Sequence, residues 1–159
     1  MNTNEVLLTH FYTSFAKVNP NEMSKCYHDK VQFSDPIFGL LKGKEVFNMW
    51  EMLLEKSNGN LVIDFSEVKA DDYSGSVKCI ATYRFSKTNR KVVNNIHSKF
   101  QFQDNLIVKQ TDDFDLWKWA SQALGLSGFL LGWTGYLQKK IQQKASNSLK
   151  SFRNSEINI

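Results

Sequence analysis

The side chain best placed to do chemistry is Asp35. It closes the run Val31-Gln32-Phe33-Ser34-Asp35, in which apolar and polar residues alternate. A period of two predicts a strand and puts Asp35 on the face shared by Val31 and Phe33. That face turns to the core. A carboxylate held in an apolar concavity resists ionisation, so its pKa rises and it can take up and return a proton. A local reading competes: an Asp before a proline, here Pro36, makes a turn hydrogen bond to nearby backbone. Tyr12 lies at the edge of an apolar helical stripe, where a phenol either donates into a pocket or packs with its hydroxyl in water. Ser98 alternates with Phe100 and Phe102 and so also points inward, as a donor or as a hydroxyl bonded to backbone. Phe15, Phe33, Trp50, Tyr83 and Phe100 form the expected wall of a pocket, or plain core. His97 alternates with Lys99 and Gln101, on the other face. Asp112, Asp113 and Asp115 cluster after the last strand, where helix capping is the simpler account.

Several chemistries have no residues to carry them. His10, His28 and His97 show no metal-ligand spacing, and Cys26 and Cys79 form no CxxC, so neither metal nor cofactor is expected. There is no nucleophile elbow and no glycine-rich phosphate loop. Two distant thiols read as reduced, which fits a cytoplasmic chain. Met1 to His10 lacks a cationic start and an apolar run, so no secretory signal is expected. Ala123 to Trp133 is about half of the ~20 apolar residues a membrane crossing needs.

These side chains must be held by a body of 159 residues, which reads as one domain able to bury roughly 70% of its unfolded surface. Aromatics make up 13% of the chain, which suits a core around a cavity or an apolar interface and excludes disorder. Up to Gly135 there are 15 Lys plus Arg and 15 Asp plus Glu, so the net charge of +4 lies entirely in Tyr136 to Ile159. A nucleic-acid partner is not expected, because such binders carry basic residues on the folded module. The basic tail reads as a solvated helix face, with contact to an anionic membrane surface as the lesser alternative.

The positioning elements follow from periodicity. Val6, Leu7, Phe11, Phe15 and Val18 predict a helix over about Thr3–Val18, and Asn19-Pro20 opens a short second one. The strand ending at Asp35 is followed by a loop framed by Gly39 and Gly43, then a helix over Glu45–Lys56. Four strands are predicted at Leu61–Glu67, Val77–Phe85, Lys91–Phe102 and Leu106–Thr111, joined by short polar links. Asp115 caps a helix over Leu116–Leu124, Ser127 is placed to cap another, and Gly128, Gly132 and Gly135 allow a close backbone approach. Helices and antiparallel strands are segregated, so the fold class is α+β, with helices on one face of a curved sheet.

Residues 1 to about 115 resemble the nuclear transport factor 2-like superfamily, in its SnoaL-like and ketosteroid isomerase-like branch. The match rests on element order and on three places: the helix Leu7-Leu8-Thr9-His10-Phe11-Tyr12-Thr13-Ser14-Phe15; the strand ending Asp35-Pro36 with Gly39 and the Gly43-Lys44-Glu45 helix entry; and the closing strand Leu106 to Asp115. The resemblance implies a cone-shaped α+β barrel around an apolar pocket, and a homodimer through the outer sheet face. It implies Asp35 as a proton-shuttling base and Tyr12 as an oxyanion donor, with Ser98 at the second donor position. Serine is a weaker donor than the neutral acid of ketosteroid isomerase. Residues 116–159 form a C-terminal helical extension that caps the cone or extends the dimer. The expected function is binding of a small apolar molecule, with isomerase-like or polyketide cyclase-like proton transfer. The alternative is a non-catalytic, dimeric ligand- or partner-binding module.

Overall fold

In the computed structural model, which describes residues 2–157, a reciprocal cap starts the first helix. The Asn2 side chain accepts from the Asn4 amide, and the Glu5 carboxylate accepts from the Asn2 amide. Helix α1 (Thr3–Ala16) is followed by α2 (Pro20–Ser24), capped by Asn19 with Pro20 in its first turn. Then come β1 (Tyr27–Asp35), β2 (Gly39–Lys42), α3 (Lys44–Ser57), β3 (Val62–Ala70), β4 (Ser74–Arg84), β5 (Lys91–Gln103) and β6 (Leu106–Asp113). Helices α4 (Leu116–Leu124), α5 (Leu126–Leu131) and α6 (Gly135–Ile157) complete the chain. Residues 39–42, read from the sequence as loop, are a strand, because β1 offers them a free edge: Phe33 pairs with Leu41.

The six strands form one curved sheet in the order β2-β1-β6-β5-β4-β3, open at β2 and β3. All neighbours are antiparallel except β1 and β6, which run parallel, so the expected all-antiparallel sheet is corrected at that seam. Irregular register supplies the curvature. Glu67 takes φ 51° where β3 shifts against β4, and β6 carries an extra residue at Val108.

Helices α1 and α3 fill the concave face. Leu8, Phe11, Tyr12 and Phe15 of α1 meet Val46, Met49 and Trp50 of α3 and Val31, Phe33, Val77 and Ile107 of the sheet, all buried. The Phe11 ring stands edge-on to Tyr12, Tyr27 and Trp50 at 5.3, 5.3 and 5.9 Å, the geometry that ring quadrupoles favour. Val6 and Val18, expected on the buried stripe, are exposed. Val6 lies about 160° around the helix from Leu8, and Val18 falls beyond the helix end in a left-handed turn at φ 56°.

A second apolar cluster joins Trp119, Ala120 and Ala123 of α4 and Ile141 of α6 to Val92, Ile37, Tyr83 and Phe85. It covers the end of the sheet that carries Asp35, and Gln142 Nε2 of α6 donates to the Pro36 carbonyl at 3.3 Å. Further along α6, Leu149 reaches the main core. Ser127 caps nothing: its hydroxyl donates to the Leu124 carbonyl, because α5 has already begun at Leu126. Two of the three glycines do allow close approach. A Cβ on Gly128 would stand 1.9 Å from the Ala120 carbonyl oxygen, and one on Gly132 would stand 2.4 Å from the Gly128 carbonyl oxygen and 3.2 Å from the Ala120 Cβ. Gly135 has open space.

The Gly128 contact is with backbone, so no rotamer change relieves it. Gly128→Ala is expected to lower stability by about 1–3 kcal/mol, as overpacking does. Urea denaturation checks this, and an unchanged midpoint would show that α5 is free to leave α4.

Candidate functional site

Two inward carboxylates meet at the parallel seam. Phe33 lies beside Gln110 and Ser34 beside Thr111; one further step along both strands brings Asp35 next to Asp112. The bulge at Val108 makes this so. Phe102 faces Ile107 but Gln101 faces Lys109, so the inward positions of β6 change from odd to even numbers after Ile107. Gln110 and Asp112 are thereby buried, while Lys109 and Asp113 are exposed. The capping account of Asp112 is therefore corrected: only Asp115 caps, accepting from the Lys118 amide at 3.1 Å.

Asp112 terminates a buried polar chain. Trp50 Nε1 donates to the Tyr27 hydroxyl (2.8 Å), Tyr27 donates to Gln110 Oε1 (2.5 Å), and Gln110 Nε2 donates to Asp112 Oδ1 (2.9 Å). From the other side, the Tyr12 hydroxyl donates to Ser98 Oγ at 2.7 Å, and Ser98 sits directly across the ladder from Asp112. Burial raises the Asp112 carboxyl to about 6, opposed by the Gln110 and Ser98 donors, which favour its ionised form. Burial likewise drives the Tyr12 and Tyr27 phenols well above their ordinary range.

Asp35 is half-buried at the rim. Its Oδ1 accepts from the Ile37 and Phe38 amides at 2.9 and 2.6 Å, so the local turn bond and the inward acid are both present. Its Oδ2 accepts no hydrogen bond among the described residues. Burial pushes the carboxyl up to about 7; the two amides oppose this, and the charge of Asp112 adds to it. Tyr83 stands close enough for the Asp35 charge to raise its phenol further, to about 12, with burial as the larger cause. The Tyr83 oxygen accepts from Trp119 Nε1 at 2.7 Å, and among the described residues its own proton is committed to no acceptor.

The residues expected to form the site thus fall into three groups. Tyr12 and Ser98 come together, but they feed Asp112, and the Tyr12 proton is spent on Ser98. Phe15, Phe33, Trp50 and Phe100 belong to the close-packed aromatic core, with Phe15 and Phe33 at 5.0 and 5.8 Å from Trp50 and Phe100 at 6.3 Å from Tyr12. Tyr83 alone of the aromatic set stands beside Asp35. Sequence reasoning missed Tyr27, Gln110 and Asp112. Both faces of β6 are polar past Val108, so alternation could not assign the inward one. Among the described residues no three His, Cys, Asp or Glu gather to hold a metal ion. Two surface concavities lie elsewhere: one along α6 at Asn147 and Phe152, and one on the outer sheet face at His97, Lys99 and Lys109.

No curated protein matches the sequence closely enough to count as a relative. Among solved structures, Bal32a from a soil-derived mobile gene cassette superposes with a TM-score of 0.67 at 16% identity, over 76% of this chain and 95% of that one. TerC, co-crystallised with polyporic acid, gives 0.62 at 12%, over 72% and 92%. An epoxide hydrolase from M. tuberculosis, described as LEH-like, gives 0.59 at 14%, over 82% and 96%. At such identities these likenesses establish the cone fold alone. The sequence itself matches the SnoaL-like domain description over residues 8–110, the stretch from α1 to the inward turn of β6, and the chain belongs to the SnoaL-like domain family.

Proposed function

We propose that the chain binds a small apolar molecule at the rim where Asp35 meets Tyr83, and moves a proton on it. The observation that carries this reading is the register of the parallel seam: its last pair, Ser34 with Thr111, leaves Asp35 and Asp112 next in line on the two strands, near enough for the Asp112 charge to act on Asp35. Asp112, raised by burial to about 6, ionises before Asp35 and becomes a buried negative charge. Burial holds the Asp35 proton on into the neutral range, and the Asp112 charge adds to it. A carboxyl half ionised near pH 7 is well matched to both accepting and returning a proton. The Tyr83 hydroxyl, polarised by Trp119, supplies the hydrogen bond to the ligand oxygen on which charge develops. Asp112, Ser98, Tyr12 and Gln110 tune the pair from behind. Isomerisation or polyketide-type cyclisation next to a carbonyl fits this arrangement.

A second reading is favoured by the packing. The aromatic core under β1 is filled, and the Asp35 Oδ1 is tied into a turn, which suits a binding module without chemistry. In that reading the outer sheet face, with its concavity of about 740 Å³ lined by Lys69, His97, Lys99, Lys109 and Thr111, seats a second copy.

Exchange of the proton next to the carbonyl of apolar ketones, followed by NMR in heavy water, separates the readings. Asp35→Asn is expected to slow exchange by about 10²–10⁴-fold, the usual weight of a general base. An equal rate in the variant would leave only the module.

The pH profile carries the second expectation. Exchange should rise with pH through about 7 as Asp35 ionises. In Asp112→Asn the midpoint should move to lower pH, because the neighbouring charge is gone. A midpoint that stays in place would remove Asp112 from the mechanism.

Stability should follow the same groups. Both acids bind protons more tightly folded than unfolded, so between the ordinary carboxylate range near 3.8 and about 7 the folded chain holds the extra protons. Their contribution is therefore most favourable at acid pH and is lost as pH rises through that window. Thermal unfolding should show a falling midpoint from about pH 4 to 7, flattened in Asp35→Asn and in Asp112→Asn.

A further inference from the structure

Helix α5 is packed inside out. Leu126, Phe129 and Leu130 share one face of α5, and Trp133 continues the spacing in the turn that follows. The other face carries Gly128 and Gly132, pressed against Ala120 and Trp117 of α4. The small residues therefore make the contact and the large ones meet solvent: Leu126 is 73% exposed, Phe129 53%, Leu130 55% and Trp133 72%, and Tyr136 at the start of α6 continues the patch at 74%. A contiguous apolar surface of this kind marks an interaction site.

The charge around it is one-sided. Leu116 to Ser155 contains no Asp or Glu and six Lys or Arg, while the chain up to Gly135 is electrically balanced. Lys139 and Lys140 follow the patch directly and are exposed, and Lys140 Nζ lies 6.0 Å from the Tyr136 ring centroid. Among the described residues no helix is long and apolar enough to cross a membrane, which leaves attachment in the plane of an interface. Aromatic and aliphatic side chains beside cations are what an anionic bilayer surface holds.

We propose that the corner formed by α5 and the start of α6 docks on an anionic lipid bilayer, with Leu126, Phe129, Leu130, Trp133 and Tyr136 entering the headgroup boundary and Lys139 and Lys140 meeting lipid phosphates. A second copy of the chain fits this corner less well. Seated on itself across a two-fold axis, the patch would bring the same lysines toward one another, with no acidic residue between Leu116 and Ser155 to compensate. A phosphatidylserine surface supplies the missing charge.

The test is flotation of the full chain with phosphatidylcholine vesicles, with and without phosphatidylserine. Binding is expected only with phosphatidylserine, and it should weaken by about tenfold or more when salt is raised from low to molar levels. Brominated acyl chains should quench tryptophan emission, and the quenching should fall in Trp133→Phe, leaving the part owed to Trp117 beside Phe129. The double variant Lys139→Glu, Lys140→Glu should lose binding while its circular dichroism and thermal midpoint stay unchanged, since both side chains are solvated. No flotation with phosphatidylserine at low salt would overturn the proposal, as would full binding by the double variant. A dimer that Leu130→Ser converts to monomer, without vesicle binding by the parent chain, would assign the patch to a second copy.

Discussion

The parallel seam between β1 and β6 is the constraint on which the rest of the structure depends. It is the one place where the sheet joins its two ends in sequence, and it lays Asp35 beside Asp112 across 77 residues of chain. Two carboxylates so close cannot both ionise freely in a partly dry setting. Burial holds the Asp112 carboxyl up to about 6, and burial with the added Asp112 charge holds Asp35 up to about 7, so Asp112 ionises first. Gln110 and Ser98 stand on the Asp112 side. Asp35, nearer the rim and with a free oxygen, is left as the responsive member.

Behind that pair, the aromatic core does double duty. Trp50 and Tyr27 are apolar packing against Phe11, Phe33 and Phe47, yet their polar ends begin the hydrogen-bond chain that reaches Asp112. Tyr12 is used the same way through Ser98. The buried polar ends of Trp50, Tyr27 and Tyr12 each find a partner in the interior, where a missing partner would cost on the order of 1–3 kcal/mol. The side chains that fill the cone are thus also the ones that set the acid's charge. In front of the pair, α4 and α6 bring Trp119 and Ile141 over Ile37 and Tyr83. The C-terminal helices therefore complete the surroundings of Asp35 and orient the Tyr83 hydroxyl through Trp119.

The sequence by itself determined the elements and one member of the site. The stripes of α1 and α3, the alternation in β1 and β3 to β5, the Asn19-Pro20 and Asp115 helix starts and the inward aim of Asp35 and Ser98 all come from local periodicity, which the chain must satisfy to bury its apolar residues. The strand at residues 39–42 escaped, being too short to show a period of its own. Asp112 could not be placed, because a one-residue bulge at Val108 reverses the face of every residue after it, and a bulge leaves no periodic mark in a polar segment. Tertiary structure alone decided the parallel seam, the donors that reach Asp112 and the cover that α4 and α6 lay over the rim. Each of these joins residues far apart in the chain, and such contacts are selected by the packing of the whole body, which no short window of sequence records.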